Sequence, residues 1–153
     1  MRTVFCIVHT LDREPKAAVQ AIADVQAGGG QVLFVAINDP EDERVLYHRL
    51  AAKDFVGHRM SEEITKIADQ TAHDELRDKL DENLQLAKEA NVQAETLLTD
   101  GSTLEVLQNL AAEWNPAKVY MNKLPEKLWD RIARTGLCSV MSKIMPCPVT
   151  VVS

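Results

Sequence analysis

Short runs of β-branched and other apolar residues alternate along this chain with longer stretches that show helical spacing. Residues 4–8 and 32–37 are apolar at every position, and three further strands are predicted over residues 92–98, 119–121 and 148–152. Runs without a polar face are typical of parallel strands that are covered on both sides. The stretches between the runs are long enough for a helix that returns the chain to the same end of a sheet. The pattern therefore predicts an α/β fold.

The helical stretches carry their own start and stop signals. Pro15 suits the first turn of a helix that we expect to bury Val19, and the three glycines at 28–30 should end it. Residues 61–90 predict one long amphipathic helix, with Leu84 in its apolar stripe. These boundaries separate the strands by helices rather than by hairpins.

Capping residues mark two further helix starts and one helix end. Asp39 precedes a proline, which predicts a helix that begins there. Ser102 and Glu105 have the spacing of a capping box. Asn115, followed by Pro116, should end the helix that this box begins.

Strands that alternate with helices pair in parallel through right-handed crossovers, which predicts an open sheet with helices on both faces. We expect five strands in the order 3-2-1-4-5, within a single domain over residues 1–153. In that order the direction of winding reverses between the first and fourth strands. Ligands of such sheets bind outside the carboxyl ends of the strands at this reversal. The predicted cleft therefore lies between residues 9–12 and residues 122–125.

The composition excludes several classes of protein. The chain has 17 Lys and Arg against 23 Asp and Glu, a net charge of −6, which argues against a nucleic-acid partner. Its apolar runs are too short to span a membrane, and residues 4–8 are interpreted as a strand rather than a leader. Cys6, Cys138 and Cys147 form no CxxC motif, so we expect free thiols in a cytoplasmic protein.

Three stretches, taken in their order and spacing, resemble the universal stress protein family. They are Asp100-Gly101-Ser102, residues 118–121 and the closing residues 146–152, and the resemblance extends over essentially the whole chain. It implies the strand order given above, a regulatory or binding role in the stress response rather than an enzymatic one, and a homodimer.

The chain departs from the ATP-binding branch of that family. Members of the branch have an aspartate at the end of the first strand, where His9 stands here, and a glycine-rich loop after the fourth strand. Asn122 and Pro125 take the places of the first two glycines, and Thr135-Gly136 falls near the last glycine pair. Glycines let backbone amides approach phosphate oxygens, whereas Pro125 has no amide hydrogen. The departure disfavours ATP and predicts no required cofactor.

Three hypotheses follow. The first is a universal stress protein-like module that does not rely on ATP, with an unknown protein partner. The second is a nucleotide-binding member (ATP or AMP) with a divergent phosphate loop, and the third is a small hydrolase or transferase. We predict no catalytic or metal-binding residue. The candidate cleft residues are His9, Thr10, Ile37, Asn122, Lys123, Thr135 and Gly136.

Other side chains have both a structural and a functional interpretation. His9 is interpreted as a hydrogen-bonded structural residue rather than a base or metal ligand. Asp69 and His73 lie four apart on the long helix and could face one metal, but a solvated helix face is favoured. Tyr120 and Trp129 could stack on a ring in the cleft, but core packing is favoured.

The closing strand predicts a self-association surface. In the order 3-2-1-4-5 it lies at one edge of the sheet, where its backbone groups invite a partner strand. A two-fold axis would pair this edge with its copy. The expected homodimer interface consists of Pro148, Val149, Thr150, Val151 and Val152.

Overall fold

The computed structural model describes residues 1–10, 12–39, 58–123 and 143–153. In the segment 58–123, side chains are described from residue 70 onwards. These residues form five strands and three helices. In chain order they are β1 (Thr3–Val8), α1 (Lys16–Gly28), β2 (Gln31–Asn38), α2 (His58–Glu89), β3 (Gln93–Asp100), α3 (Thr103–Trp114), β4 (Lys118–Asn122) and β5 (Val149–Val152).

The five strands form one parallel sheet in the order β3-β2-β1-β4-β5, which confirms the predicted topology. Cys6 of β1 pairs with Phe34 of β2 on one side and with Tyr120 of β4 on the other. The order therefore reverses between β1 and β4, and the carboxyl ends of these two strands lie side by side.

Helices cover both faces of the sheet, as predicted. Alternate residues of β1 point to opposite faces, so Cys6 packs in the layer of α1 and α2, and Phe5 packs in the layer of α3. All six residues of β1 are buried, which explains why this strand is apolar at nearly every position. The core thus consists of two layers that share the central strands.

Helix α1 begins and ends at the predicted signals. Pro15 is its N-cap, and Gly29 and Gly30 follow its last residue with φ angles of 78° and 107°. A Cβ at Gly30 would lie 2.1 Å from the carbonyl oxygen of Arg2, so the chain turns there against β1. The expected burial of Val19 is wrong, because its side chain is 53% exposed and the alanines of α1 face the sheet instead.

The predicted capping box at the start of α3 is also wrong. Ser102 is the N-cap, but its side chain makes no capping hydrogen bond. The backbone amide of Thr103 instead donates to Oδ2 of Asp39 over 3.0 Å, and its hydroxyl donates to the same oxygen over 2.8 Å. Asp39 therefore caps α3, because the end of β2 lies beside the start of that helix.

Helix α2 matches the predicted long helix closely. Leu76, Leu80 and Ala87 are buried, as their spacing predicts. Leu84, expected in the same stripe, is only half-buried, and its neighbour Asn83 is 6% exposed. The helices predicted after residue 39 and over residues 124–142 lie outside the described residues. Within the described ranges, no helix has the length and apolar character needed to cross a membrane.

Candidate functional site

The loop after β1 is held by a lysine from α2. The His9 amide donates to Oδ2 of Asp12 over 2.9 Å, and the Asp12 amide donates to the His9 carbonyl over 3.0 Å. The Lys79 ammonium donates to the carbonyls of His9 (3.3 Å), Thr10 (2.7 Å) and Asp12. The predicted residues His9 and Thr10 are thus fixed at one lip of the crevice. Sequence reasoning missed Lys79, which lies among ordinary helix charges.

Asn122 connects the end of β4 to the start of α1. Its Oδ1 accepts a hydrogen bond from the Ala17 amide over 2.7 Å, and its Nδ2 donates to the Glu14 carbonyl over 3.1 Å. Pro15, the N-cap of α1, supplies no capping side chain. Asn122 therefore satisfies a free amide of the first helical turn across 105 residues of sequence.

The remaining predicted cleft residues do not gather around a common point. Ile37 is 8% exposed and packs in the core layer of α3. Lys123 is exposed, and its backbone amide donates to the Val152 carbonyl over 2.8 Å, which continues the contact between β4 and β5. Thr135 and Gly136 lie outside the described residues.

A cavity of about 340 Å³ opens at the reversal point, on the side of the sheet covered by α1 and α2. Of the predicted cleft residues in the described part of the chain, Asn122 alone lines it. The other lining residues come from the end of β1, the following loop, the first turn of α1 and the middle of α2: Cys6, Ile7, Val8, Asp12, Arg13, Glu14, Pro15, Ala17, Ala18, Glu75, Asp78, Lys79, Glu82 and Asn83.

A separate polar cluster lies at the ends of β2 and β3. Asp100 Oδ1 is 2.7 Å from His73 Nε2 and accepts a hydrogen bond from Asn38 Nδ2 over 3.1 Å. His73 thus contacts the end of β3, while the side chain of Asp69 lies outside the described part. Across the side chains that are described, no group of three or more His, Cys, Asp or Glu could hold a metal ion.

Tyr120 packs in the core, and its hydroxyl is bonded to α1. It donates to Asp24 Oδ2, and Arg2 donates to Asp24 Oδ1 over 2.6 Å. Burial raises the pKa of Tyr120, and the hydrogen bond to Asp24 raises it further. Burial also acts to raise the pKa of Asp24, but the hydrogen bonds from Tyr120 and Arg2 and the charges of Arg2 and Lys118 outweigh it, so this pKa is lowered. The core interpretation of Tyr120 is confirmed, and Trp129 lies outside the described residues.

Two of the three thiols are described, and both are free. Cys6 is buried in β1, and burial, with the nearby charge of Asp12, raises its pKa far above the ordinary value. Burial also raises the pKa of Cys147. A raised pKa disfavours the reactive thiolate form of both side chains. Cys138 lies outside the described residues.

Comparisons with known proteins identify the fold. No protein-family model matches the sequence, and no curated protein matches it. Solved structures do match. The hypothetical protein MJ0577 superposes with a TM-score of 0.71 at 13% identity, over 99% of this chain and 94% of that one. UspA from Lactobacillus plantarum gives 0.65 at 14% identity, over 99% and 97%. A universal stress protein from Archaeoglobus fulgidus in complex with dAMP gives 0.60 at 14% identity, over 100% and 98%.

These matches define the class of fold, an open five-stranded parallel α/β sheet with its reversal between β1 and β4. Within that class, the chain has the universal stress protein fold along its whole length. The resemblance drawn from its sequence motifs is confirmed at the level of the fold.

Proposed function

We propose that this protein is a universal stress protein-like regulatory or binding module whose role in the stress response does not depend on ATP. The fold supports the general role, and the hydrogen bonds of Asn122 are the observation that supports independence from ATP. By the sequence resemblance, this residue stands where ATP-binding members have the first glycine of their phosphate loop. Here its carboxamide is bonded to Ala17 and Glu14.

The hydrogen bonds of Asn122 explain why a triphosphate is disfavoured. A glycine leaves room for phosphate oxygens to approach backbone amides. The Asn122 side chain fills that room on the α1 side and already occupies the Ala17 amide at the helix start.

Titration calorimetry with Mg-ATP tests the proposal. We expect a Kd above about 100 µM, which corresponds to a binding free energy weaker than roughly −5.5 kcal/mol. Asn122→Gly, which frees the Ala17 amide, is the matched variant and should bind no more weakly than the wild type. Low-micromolar affinity for ATP in the wild type, or ATP that copurifies with it, would show that the proposal is wrong.

The second candidate function is nucleotide binding through a divergent phosphate loop. The solved universal stress protein from Archaeoglobus fulgidus in complex with dAMP favours this candidate. In this case Asn122, Lys123 and Thr135 would replace the glycines. Titration with AMP, repeated with Lys123→Ala, separates the two candidates, because only the second predicts affinity that depends on this exposed lysine.

We propose that the protein acts by binding and not by turnover. The free thiols of Cys6 and Cys147 favour the reducing cytoplasm as its location. A hydrolase or transferase activity that persisted through purification and was lost on replacing His9 would support the enzymatic hypothesis instead.

We also propose a homodimer through β5. This strand follows β4 at one edge of the described sheet, and Val151 is 37% exposed there. An edge strand pairs readily with its copy across a two-fold axis. Val151→Lys should shift the protein towards monomer in light scattering. Val19→Lys changes another exposed valine, 53% accessible on α1, and should leave the mass unchanged. A wild-type monomer at micromolar concentration contradicts the proposal.

A further inference from the structure

The cavity beside the first turn of α1 has an apolar floor. Cys6 and Val8 of β1, with Ala17 and Ala18 of α1, form this floor and are each at most 3% exposed. The volume of about 340 Å³ falls within the range of small-molecule sites, about 300–1,000 Å³. The cavity therefore has room for a ligand with a short hydrocarbon portion.

The opposite wall of the cavity comes from one face of α2. Its lining residues form pairs three or four apart (75 and 78, 75 and 79, 78 and 82, 79 and 83), which places them on the same side of the helix. Lys79 in this wall is bonded to the loop after β1. Glu75, Asp78 and Glu82 make no hydrogen bond or ion pair with the part of the chain that the structure describes. The wall thus presents three carboxylates that have no partner among the described residues.

Asn83 is the deepest polar residue of this wall. It is 6% exposed, and its carboxamide has no hydrogen-bond partner among the described residues. Every fully buried side-chain N or O atom of the described residues has a hydrogen-bond partner. Because the carboxamide of Asn83 has none, its atoms are not fully buried. Since Asn83 lines the cavity, the cavity is the space that its amide reaches. A ligand in the cavity can therefore form hydrogen bonds with this amide.

The charge of the lining selects the kind of ligand. Five carboxylates and two cations line the cavity, so its formal charge is three negative. One of the cations, Lys79, is saturated by backbone carbonyls. Such a lining attracts cations and repels phosphates and carboxylates. The apolar floor favours an organic cation over a metal ion, which needs converging oxygen ligands.

We propose that this cavity binds a small aliphatic amine. The hydrocarbon chain lies on the floor at Cys6 and Val8, and an ammonium group donates to Oδ1 of Asn83 and to the carboxylates of Asp78 and Glu82. This site goes beyond the proposed function, because it depends neither on a nucleotide nor on the dimer.

Calorimetric titration of the full chain with putrescine tests the proposal. We expect saturable binding by putrescine, and at least about ten-fold weaker binding by the uncharged diol of the same length and by succinate. Asn83→Leu keeps the side-chain size but removes the amide. It should weaken putrescine binding at least about ten-fold while leaving the melting temperature unchanged or higher, since the Asn83 carboxamide has no hydrogen-bond partner among the described residues.

A double variant tests the charges separately. Asp78→Asn with Glu82→Gln should weaken putrescine binding, whereas Asp81→Asn with Glu89→Gln removes the same charge from α2 away from the cavity and should not. Because all four side chains are exposed, both variants should fold.

Four results would overturn the proposal. The first is an absence of putrescine binding in a titration that would detect a Kd of about 1 mM, and the second is equal affinity for putrescine and the diol. The third is an equal loss of putrescine affinity in the two double variants, and the fourth is full displacement of putrescine by equimolar Mg²⁺. The last two would assign the effect to general attraction by an acidic helix or to a metal site.

Discussion

Asn122→Ala should destabilise the protein, because it removes the contact between the end of β4 and the start of α1. The substitution removes the acceptor for the Ala17 amide and the donor to the Glu14 carbonyl. Loss of a side chain that caps a helix costs about 1 kcal/mol, within a range of about 0.5–2. The second hydrogen bond contributes about 0.5–1.5 kcal/mol. We therefore expect the free energy of unfolding to fall by roughly 2 kcal/mol.

Urea unfolding measures this loss directly. The midpoint should shift to lower urea with an unchanged slope, because the substitution alters stability and not the surface exposed on unfolding. In a thermal melt, the same loss lowers Tm by about 4–8 °C for a chain of this size. Asn122→Asp keeps the acceptor and places a negative charge at the start of α1, so it should retain about half of the lost stability.

Lys123→Ala is the matched control for this prediction. Lys123 is the next residue, its side chain is exposed, and its backbone bond to Val152 does not depend on the side chain. It should change stability by less than about 0.5 kcal/mol. If Asn122→Ala were as stable as Lys123→Ala, Asn122 would not hold α1, and its role in excluding a phosphate would lose its basis.

Two further predictions concern stability. Gly30→Ala should cost more than about 3 kcal/mol, because its Cβ would lie 2.1 Å from the Arg2 carbonyl oxygen and its φ is also positive. Gly29→Ala has open space around it, so it should cost only the strain of its backbone angles (φ 78°, ψ 170°), about 1–3 kcal/mol in urea unfolding. Equal losses would contradict the clash at Gly30. Asp24→Asn should lower the free energy of unfolding at neutral pH, and the difference from the wild type should shrink as pH falls below about 4. The reason is that the pKa of Asp24 is lowered in the folded state, so the stabilisation by its charge is lost as pH falls through that pKa. A difference that does not change with pH would show that the charge of Asp24 does not stabilise the fold.

Local sequence patterns were sufficient for much of the fold. The buried run of β1 and the glycines after α1 identified elements through backbone physics that acts within a few residues. The position of Asn122 at a strand end, and thus at the crevice, also followed from the predicted order. The partners of Asn122 did not follow, because Ala17 lies 105 residues away.

The errors of sequence reasoning share one cause. Ser102 has the local pattern of a capping residue, yet Asp39 caps the helix from another segment. The spacing in α2 favoured Leu84 for burial, whereas the packing of the helix on the sheet buries Asn83 beside an open cavity. In each case the local sequence pattern favoured one residue, but packing against a segment distant in sequence determined which residue makes the contact.

The sequence by itself determined the class of fold and the order of its elements, since hydrophobic periodicity and turn residues are local properties of the chain. The departure from a glycine-rich phosphate loop stays a prediction. Tertiary structure alone decided that Lys79 secures the loop after β1 and that Asn83 opens into an acidic cavity. The physical reason is that hydrogen bonding and burial depend on which surfaces the crossover connections bring together. Lys79 and His9 are 70 residues apart, and nothing in the local sequence around either residue indicates that they are in contact.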